Sequence, residues 1–429
     1  MRYSNVPVAR ALLVLILFCG LDAIASESHE SEKPLTAITL QEAVSRALAN
    51  NPGIKATRLD VDIQQARRDA GSLSTPYRLD TEIENFAGTD TVSGFDSAET
   101  TLQVSKTLEL GDKRQYRTEL GDAEVSLTRM EATVRELELA AEVSRRYAKL
   151  LRKQEQLNLV AESVSISGRT LRIVQRRVTT GRASEAEESN ANVELSRTEL
   201  IGKRLQFEIA SLRFALSSLW GSTTPEFTQA TGDISSMPAV PDYSTLETRL
   251  AENPYLRRIA TNSRILVAQR RLAESRQSPD ILLSAGVRHL AATDDVAMVV
   301  SFSMPFGSGG RAEPLVRESN LAISRIPMTQ EEKLLNLQST LFGFYQVLLA
   351  TRTEYDTLTN IIIPEAERAA RFYERGFELG SYSLLELTAA QERLLALRGN
   401  ALDAAASFHL TLIEIESLLG SISPGGALQ

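Results

Sequence analysis

Cysteine and histidine are scarce in this chain, which has one cysteine and three histidines among 429 residues. Cys19 lies in the N-terminal segment, and His29, His289 and His409 are far apart in the sequence. Protein zinc sites normally need three or four His, Cys or carboxylate ligands held together. The scarcity therefore argues against a metal site within one copy, and we predict no metal ligands and no cofactor-binding residues.

Sets of acid, base and nucleophile side chains at plausible spacing are also missing, so we predict no catalytic residues and no enzymatic activity. A positive excess is missing too: 47 Lys and Arg residues face 55 Asp and Glu residues, for a formal net charge of −8. Proteins that bind nucleic acid usually carry the opposite balance. We therefore expect no nucleic-acid partner.

The N-terminal apolar run, residues 11–18, is too short to cross a bilayer permanently. Arg2 and Arg10 precede or flank it, and small residues follow near position 25, which is the pattern of a cleavable export signal. We predict a signal peptide over residues 1–25, with cleavage before Ser26 and export of the mature chain. Cleavage would remove Cys19, so a disulfide is not expected within the mature chain.

The second half of the chain repeats the first at an offset of about 200 residues. The repeated stretches are LQEAVSRALANNP and LETRLAENP, TGRAS and LGSYS, and LWG and LLG. This duplication predicts a first structural unit over residues 26–222, a connector rich in Pro, Thr, Ser and Gly over 223–244, a second unit over 245–420, and a tail over 421–429.

Each unit is predicted to contain one very long helical hairpin, over about 112–220 and 311–419. In the first, no proline interrupts residues 112–178, and apolar side chains recur at steps of three, four and seven. At 1.5 Å per residue such a helix is about 100 Å long. Gly181 is predicted to end it, and a Ser184–Glu187 capping box to start its partner. In the second hairpin, Pro327 is predicted to start or kink the long helix.

Four alternating stretches, at about 77–87, 100–110, 280–289 and 297–306, predict strands long enough to cross a membrane when tilted. Asp80, Glu82 and Glu84 share one face of the first strand. Charges facing lipid are costly, so this face is expected to line an aqueous lumen, either as a cation-selective surface or simply as a polar one. Because four strands cannot close around an aqueous pore, symmetric copies are expected to complete the barrel.

The order and duplication of these stretches resemble the TolC-type outer-membrane efflux family. The resemblance covers nearly all of the mature chain and includes LQEAVSRALANNP, the stretch FELGSYSLLELTAAQERLL at 377–395, and the closing IESLLG. It implies a mostly α fold with a small membrane β-barrel, in which three copies contribute four strands each to a twelve-stranded barrel. The implied place is the outer membrane of a Gram-negative cell, in contact with lipid, with a long periplasmic extension.

Residues 105–114, SKTLELGDKR, look like the SQxxELGGKR stretch of the heavy-metal cation branch of that family, with Lys106 and Asp112 replacing its glutamine and glycine. The resemblance implies a passive exit duct that serves a periplasmic adaptor (membrane fusion protein) and a proton-driven, RND-type inner-membrane pump. Heavy-metal cations are the expected substrates, and drugs or type I secretion are the alternatives. A periplasmic coiled-coil scaffold or adaptor without a barrel is the main rival.

The hairpin turns are the expected docking tips for the adaptor, through Gly181, Arg182 and Ser184 in the first turn and Gly380, Ser381 and Ser383 in the second. The resemblance also implies acidic residues that ring the periplasmic entrance, for which Glu187 and Glu386 are the candidates. Each stands six positions after a turn glycine and three after a serine. Both are therefore candidates for helix capping as well as for a gate.

Overall fold

The computed structural model describes residues 35–251 and 253–421. The predicted signal peptide and most of the predicted tail lie outside the described residues. Helices dominate the described part of the chain, as expected. Within it, no helix combines the length and the apolar character needed to span a membrane.

The described chain contains nine α-helices. They are α1 (Leu40–Asn50), α2 (Pro52–Ser72), α3 (Lys113–Thr179), α4 (Glu185–Ser217), α5 (Tyr243–Leu250), α6 (Pro254–Ser275), α7 (Ser308–Thr357), α8 (Ile363–Leu379) and α9 (Leu384–Leu419). A π-helical turn, Leu358–Ile362, separates α7 from α8.

Helix α3 is the longest element of the described chain and contains 67 residues, which corresponds to about 100 Å. Helices α2, α4, α6 and α9 all pack along it. Gly121 lets α2 come close, because a Cβ there would lie 2.8 Å from Cγ of Arg68. The heptad spacing read from the sequence thus reflects packing along the whole helix.

Two shorter helices meet end to end beside each long one. Asn51 caps α2 through its side-chain oxygen, which accepts from the Ile54 N–H, and its Nδ2 donates to the Leu219 carbonyl at 2.7 Å. The same joint recurs in the second half, where Nδ2 of Asn253 donates to the carbonyl of Leu418. The Asn-Pro pairs of the repeat are therefore the joints between α4 and α2 and between α9 and α6.

The second long helix is not a copy of α3. It begins at Ser308 after Gly307, so Pro327 lies inside α7 and does not start the helix. A proline in a helix removes one backbone hydrogen bond, and the packing of α7 on α6 and α9 holds the helix together despite that loss. The helical hydrogen-bond pattern changes further along, at the π turn Leu358–Ile362.

The strands are β1 (Leu35–Ile38), β2 (Tyr77–Glu84), β3 (Glu99–Leu108), β4 (Phe227–Ala230), β5 (Ile281–Leu290) and β6 (Asp295–Ser303). Four of them form an antiparallel sheet in the order β2-β3-β5-β6, so β2 and β6 are its edges. The pairing of β3 with β5 joins the two repeats in one sheet.

The remaining strands, β1 and β4, pair in parallel next to the middle of α3. Strand β4 lies in the segment that the sequence predicted only as a connector, and its Phe227 is buried in the main apolar core. Tyr147 of α3, itself fully buried, donates to the Ile38 carbonyl at 2.8 Å and accepts from the Thr231 N–H at 3.0 Å. The connector therefore belongs to the core.

Candidate functional site at the two ends of the long helices

The four-stranded sheet lies at one end of α3 and has an apolar face that is exposed. This face carries Tyr77, Leu79 and Ile83 of β2, Leu102 and Val104 of β3, Leu283 and Val287 of β5, and Val296, Met298, Val300 and Phe302 of β6. Met298 is 82% exposed. A sheet in water normally turns this face toward a core.

The opposite, polar face is the better covered one. Thr101 and Ser105 are each 2% exposed, and Ser284 is 6% exposed. Burial of small polar side chains beside exposed large apolar ones is the reverse of the usual arrangement. It is typical of a sheet whose polar side is concave and whose apolar side faces lipid.

The predicted lumen residues Asp80, Glu82 and Glu84 all lie on this polar face, in register with Gln103, Thr101 and Glu99 of β3. Asp80 accepts a hydrogen bond from Oγ of Ser105 at 2.7 Å and pairs with Nε of Arg78 at 3.1 Å. The acidic line read from the sequence is therefore partly balanced by basic side chains.

Arg288 of β5 provides the second balance. Its Nη1 lies 2.8 Å from Glu99, its Nη2 lies 3.2 Å from Glu84, and its Nε donates to Thr101 at 2.9 Å. Sequence analysis could place Arg288 on the polar face by alternation but could not assign its partners. They come from two other strands and depend on the pairing of β3 with β5.

The SKTLELGDKR stretch is the junction between sheet and helices. Gly111 and Asp112 take positive φ, and Nη2 of Arg117 pairs with Glu109 at 2.9 Å, which lowers the pKa of the Glu109 carboxyl. The buried Lys113 pairs with Asp280 of the second repeat at 2.6 Å. In this structure the stretch holds the connection between the end of β3 and the start of α3.

The first turn lies at the other end of α3. Gly181 has φ 68°, and the Arg182 N–H donates to the Arg177 carbonyl at 2.8 Å, which closes the helix end. Ser184 and Glu187 form the predicted capping box, with N···O distances of 3.2 and 3.1 Å. Gly181, Arg182 and Ser184 are exposed, as a docking surface requires.

The second turn repeats this geometry. Gly380 has φ 84°, and the Ser381 N–H donates to the Gly376 carbonyl at 2.7 Å. The Ser383 backbone N–H and hydroxyl each donate to Glu386 at 2.8 Å, and these bonds lower the pKa of the Glu386 carboxyl. Glu386 therefore caps α9, and its carboxylate is exposed at the tip.

The two turns are joined to each other by Arg177. Its Nη1 donates to the Phe377 carbonyl at 2.7 Å, and its guanidinium lies 4.5 Å from the centre of the Phe377 ring. Phe377 is buried in a small apolar cluster with Ile173, Val174, Ala191, Leu384 and Leu387. Sequence analysis missed Arg177, because nothing local marks a side chain whose partner lies on the other hairpin.

The chain combines long helices with a sheet whose apolar face is exposed at one end and with paired turns at the other, an arrangement compatible with a channel-forming class of protein. The model of the family described as outer membrane efflux protein matches residues 43–222. This match covers the first repeat, and the function that it supports, together with the relatives below, is that of an outer-membrane efflux channel.

Relatives and solved structures resemble between 71% and 94% of this chain. The cobalt-zinc-cadmium resistance protein CzcC of Cupriavidus metallidurans is 26% identical over 412 residues, covering 94% of each chain. The nickel and cobalt resistance protein CnrC of the same species is 24% identical and covers 71% of this chain and 70% of its own. The solved structure of CusC gives a TM-score of 0.73 at 17% identity, covering 89% of this chain and 92% of CusC. VceC of Vibrio cholerae gives 0.70 at 16%, covering 90% and 97%.

Proposed function

We propose that three copies of this chain form an exit duct, in which their sheets close into a twelve-stranded barrel in the outer membrane and their helices form a periplasmic tunnel. The exposed apolar face and covered polar face of the sheet carry this proposal, because that arrangement suits lipid outside and water inside. Edge strands β2 and β6 need partners, and a neighbouring copy supplies them.

Two exposed heptad stripes on the helices support the same assembly. Helix α4 carries one stripe at Val193, Leu200, Phe207 and Phe214. Helix α7 carries another at Leu321, Met328, Leu335, Phe342 and Leu349. Helix α4 packs on α3, and α7 packs on α6 and α9, so the two stripes lie on different helical hairpins of the subunit. If the α4 stripe of each copy contacts the α7 stripe of the next copy, the copies close into a ring.

The partners we propose are a periplasmic adaptor, docked at the tips through Gly181, Arg182, Ser184, Gly380, Ser381 and Ser383, and a proton-driven RND-type inner-membrane pump. Both turns are exposed and lie far from the sheet along α3, which supports this orientation. We also propose that Glu386 and Glu187 line the periplasmic entrance. Both residues cap helices near the tips, where a gate would lie; Glu386 is exposed there and Glu187 is half-buried.

We propose divalent heavy-metal cations as the substrates, because a relative matched over 94% of this chain is named for resistance to cobalt, zinc and cadmium. A second relative, matched over 71% of this chain, is named for resistance to nickel and cobalt. The excess of carboxylates over guanidinium groups on the polar face of the sheet is compatible with cation passage. Drug efflux and type I secretion are the alternative uses of the same duct.

A sensitivity panel on a strain lacking this gene tests the substrate. We expect greater sensitivity to cobalt, zinc or cadmium salts, restored by the parent gene, with unchanged sensitivity to hydrophobic drugs. Sensitivity to drugs alone would overturn the metal proposal while leaving the duct proposal intact. Release of the mature protein from cells without detergent would instead favour the rival scaffold without a barrel.

A further inference from the structure

The polar face of the sheet is not uniformly acidic. Its carboxylates are Asp80, Glu82 and Glu84 of β2, Glu99 of β3 and Asp295 of β6, and its guanidinium groups are those of Arg78 and Arg288. Five negative and two positive charges leave an excess of three negative charges for each subunit. The two arginines therefore decide how acidic the lumen is.

Arg288 makes more contacts with neighbouring strands than Arg78 does. The register places it in one row with Glu82, Thr101 and Ala297, close to the end of the sheet that lies away from the helices. Its three contacts reach both neighbouring carboxylates, Glu84 and Glu99, as well as the Thr101 hydroxyl. Its side chain is 29% exposed, so the charge is fixed in place and still open to the lumen.

Arg78 differs in each respect. Within the part of the chain that the structure describes, its ion pair is with Asp80 of its own strand, near the helical end of the sheet. Its side chain is 71% exposed. The charge of a solvated side chain is screened more than the charge of a side chain held against the wall of the protein. Arg288 is therefore the cation whose removal should change the potential of the lumen most.

We propose that Arg288 sets the ion selectivity of the outer end of the pore, by neutralising the carboxylates at the mouth so that cations pass without being retained. The inference rests on the proposed trimeric barrel, in which three copies of Arg288 would lie in one layer. Conduction requires binding that is strong enough for entry and weak enough for release. A mouth that kept all its carboxylates uncompensated would favour retention.

The test is reversal-potential measurement in planar bilayers with the purified full-length mature protein in a potassium chloride gradient. We expect Arg288→Gln to raise the potassium-to-chloride permeability ratio about two- to threefold, and to deepen block by zinc ions. Arg288→Lys keeps the charge and should keep the ratio of the parent. A matched control is Lys106→Gln, which also removes one positive charge but from the apolar face of the neighbouring strand β3. The Lys106 ammonium lies there, 4.2 Å from the centre of the Tyr77 ring.

The outcomes separate this inference from the proposed function. A parent protein that forms no channels would overturn the barrel itself. A conducting parent with the same permeability ratio in Arg288→Gln would show that Arg288 only holds the sheet together. An equal change in Lys106→Gln would show that net charge, not the charge of the lumen, sets the ratio. Resistance of the trimer to detergent, measured in parallel, reports whether each variant still assembles.

Discussion

At the scale of single residues, Glu386 combines a local role with a proposed channel role. It accepts two hydrogen bonds from Ser383 and caps α9 in every copy of the chain. Glutamine also fits this position of a capping box, so Glu386→Gln removes charge while preserving the cap. The substitution can therefore separate the two roles.

If Glu386 lines the entrance, Glu386→Gln should change single-channel conductance and weaken block by multivalent cations, because three negative charges leave a narrow passage. Trimer stability should stay within about 0.5 kcal/mol of the parent. Bilayer recordings and detergent-resistance assays measure the two effects. Identical conductance and identical block in parent and variant would leave Glu386 as a helix cap alone.

Glu416 shows the opposite environment. It lies in the last turn of α9, where burial raises the pKa of its carboxyl to about 7 although Arg249 pulls that pKa down. A raised pKa in the folded state means that ionisation destabilises the fold. The contribution of Glu416 to stability is thus full below its ordinary pKa of about 4.5 and is lost as the pH rises through 7.

We predict that Glu416→Gln stabilises the protein at pH 8 by on the order of 1 kcal/mol, because the variant has no charge to bury. Below about pH 4.5 the parent and variant should be equally stable. Thermal unfolding at a series of pH values measures the difference. A difference in stability between parent and variant that stays the same at every pH would show that burial does not raise the pKa of the Glu416 carboxyl.

At the scale of elements, the end-to-end joints differ in tightness between the repeats. Gly221 and Gly420 both take positive φ at the ends of equivalent helices. A Cβ on Gly420 would lie 2.2 Å from Cδ of Pro254, whereas on Gly221 the nearest atom of Pro52 is 3.9 Å away. The two glycines therefore have the same backbone conformation and differ in the space available for a side chain.

Gly221→Ala should cost about 1 kcal/mol from backbone strain alone. Gly420→Ala should cost about 2–4 kcal/mol, because the joint between α9 and α6 must also open to relieve the overlap with Pro254. Chemical unfolding of the two variants side by side checks the order. Equal losses of stability in the two variants would mean that the joint between α9 and α6 accommodates the added Cβ without cost.

Also at this scale, the SKTLELGDKR stretch has a structural explanation. Glu109 pairs with Arg117, and Lys113 pairs with Asp280, so the stretch ties the sheet to the start of α3 and to the second repeat. In this chain the stretch therefore has a structural role that would account for its residues without any contact to a substrate. It does not by itself identify a substrate.

At the scale of the whole molecule, the exposed heptad stripes are the proposed contacts between the copies of the trimer. We predict that Phe207→Glu in α4 or Leu335→Glu in α7 prevents trimer formation, because each places a charge in an apolar contact between copies. Mass measurement in detergent should give monomers for both variants and three subunits for the parent.

Leu385→Glu is the control for this prediction, since Leu385 is an exposed leucine of α9 that belongs to neither stripe. It should leave the trimer intact. Normal trimers from both stripe variants would remove the stripes from the subunit interface. A parent protein that is itself a stable monomer would remove the proposed assembly.

The sequence by itself determined the features whose causes are local. The length of α3 follows from its proline-free heptad pattern, and the capping boxes at Ser184 and Ser383 join residues only three positions apart. Strand alternation likewise placed Asp80, Glu82 and Glu84 on one face, because side chains alternate along any strand. These features need no knowledge of distant packing.

Only the tertiary structure decided which distant groups meet. Arg288 reaches Glu99 across 189 residues and Arg177 reaches Phe377 across 200, because the pairing of β3 with β5 and the contact between the hairpins bring them together. Strand β4 and the place of Pro327 inside α7 also depend on neighbours that local propensity does not encode. The charge balance of the polar face is a property of the sheet as a whole, so the sequence of β2 taken alone overstated the acidity of that face.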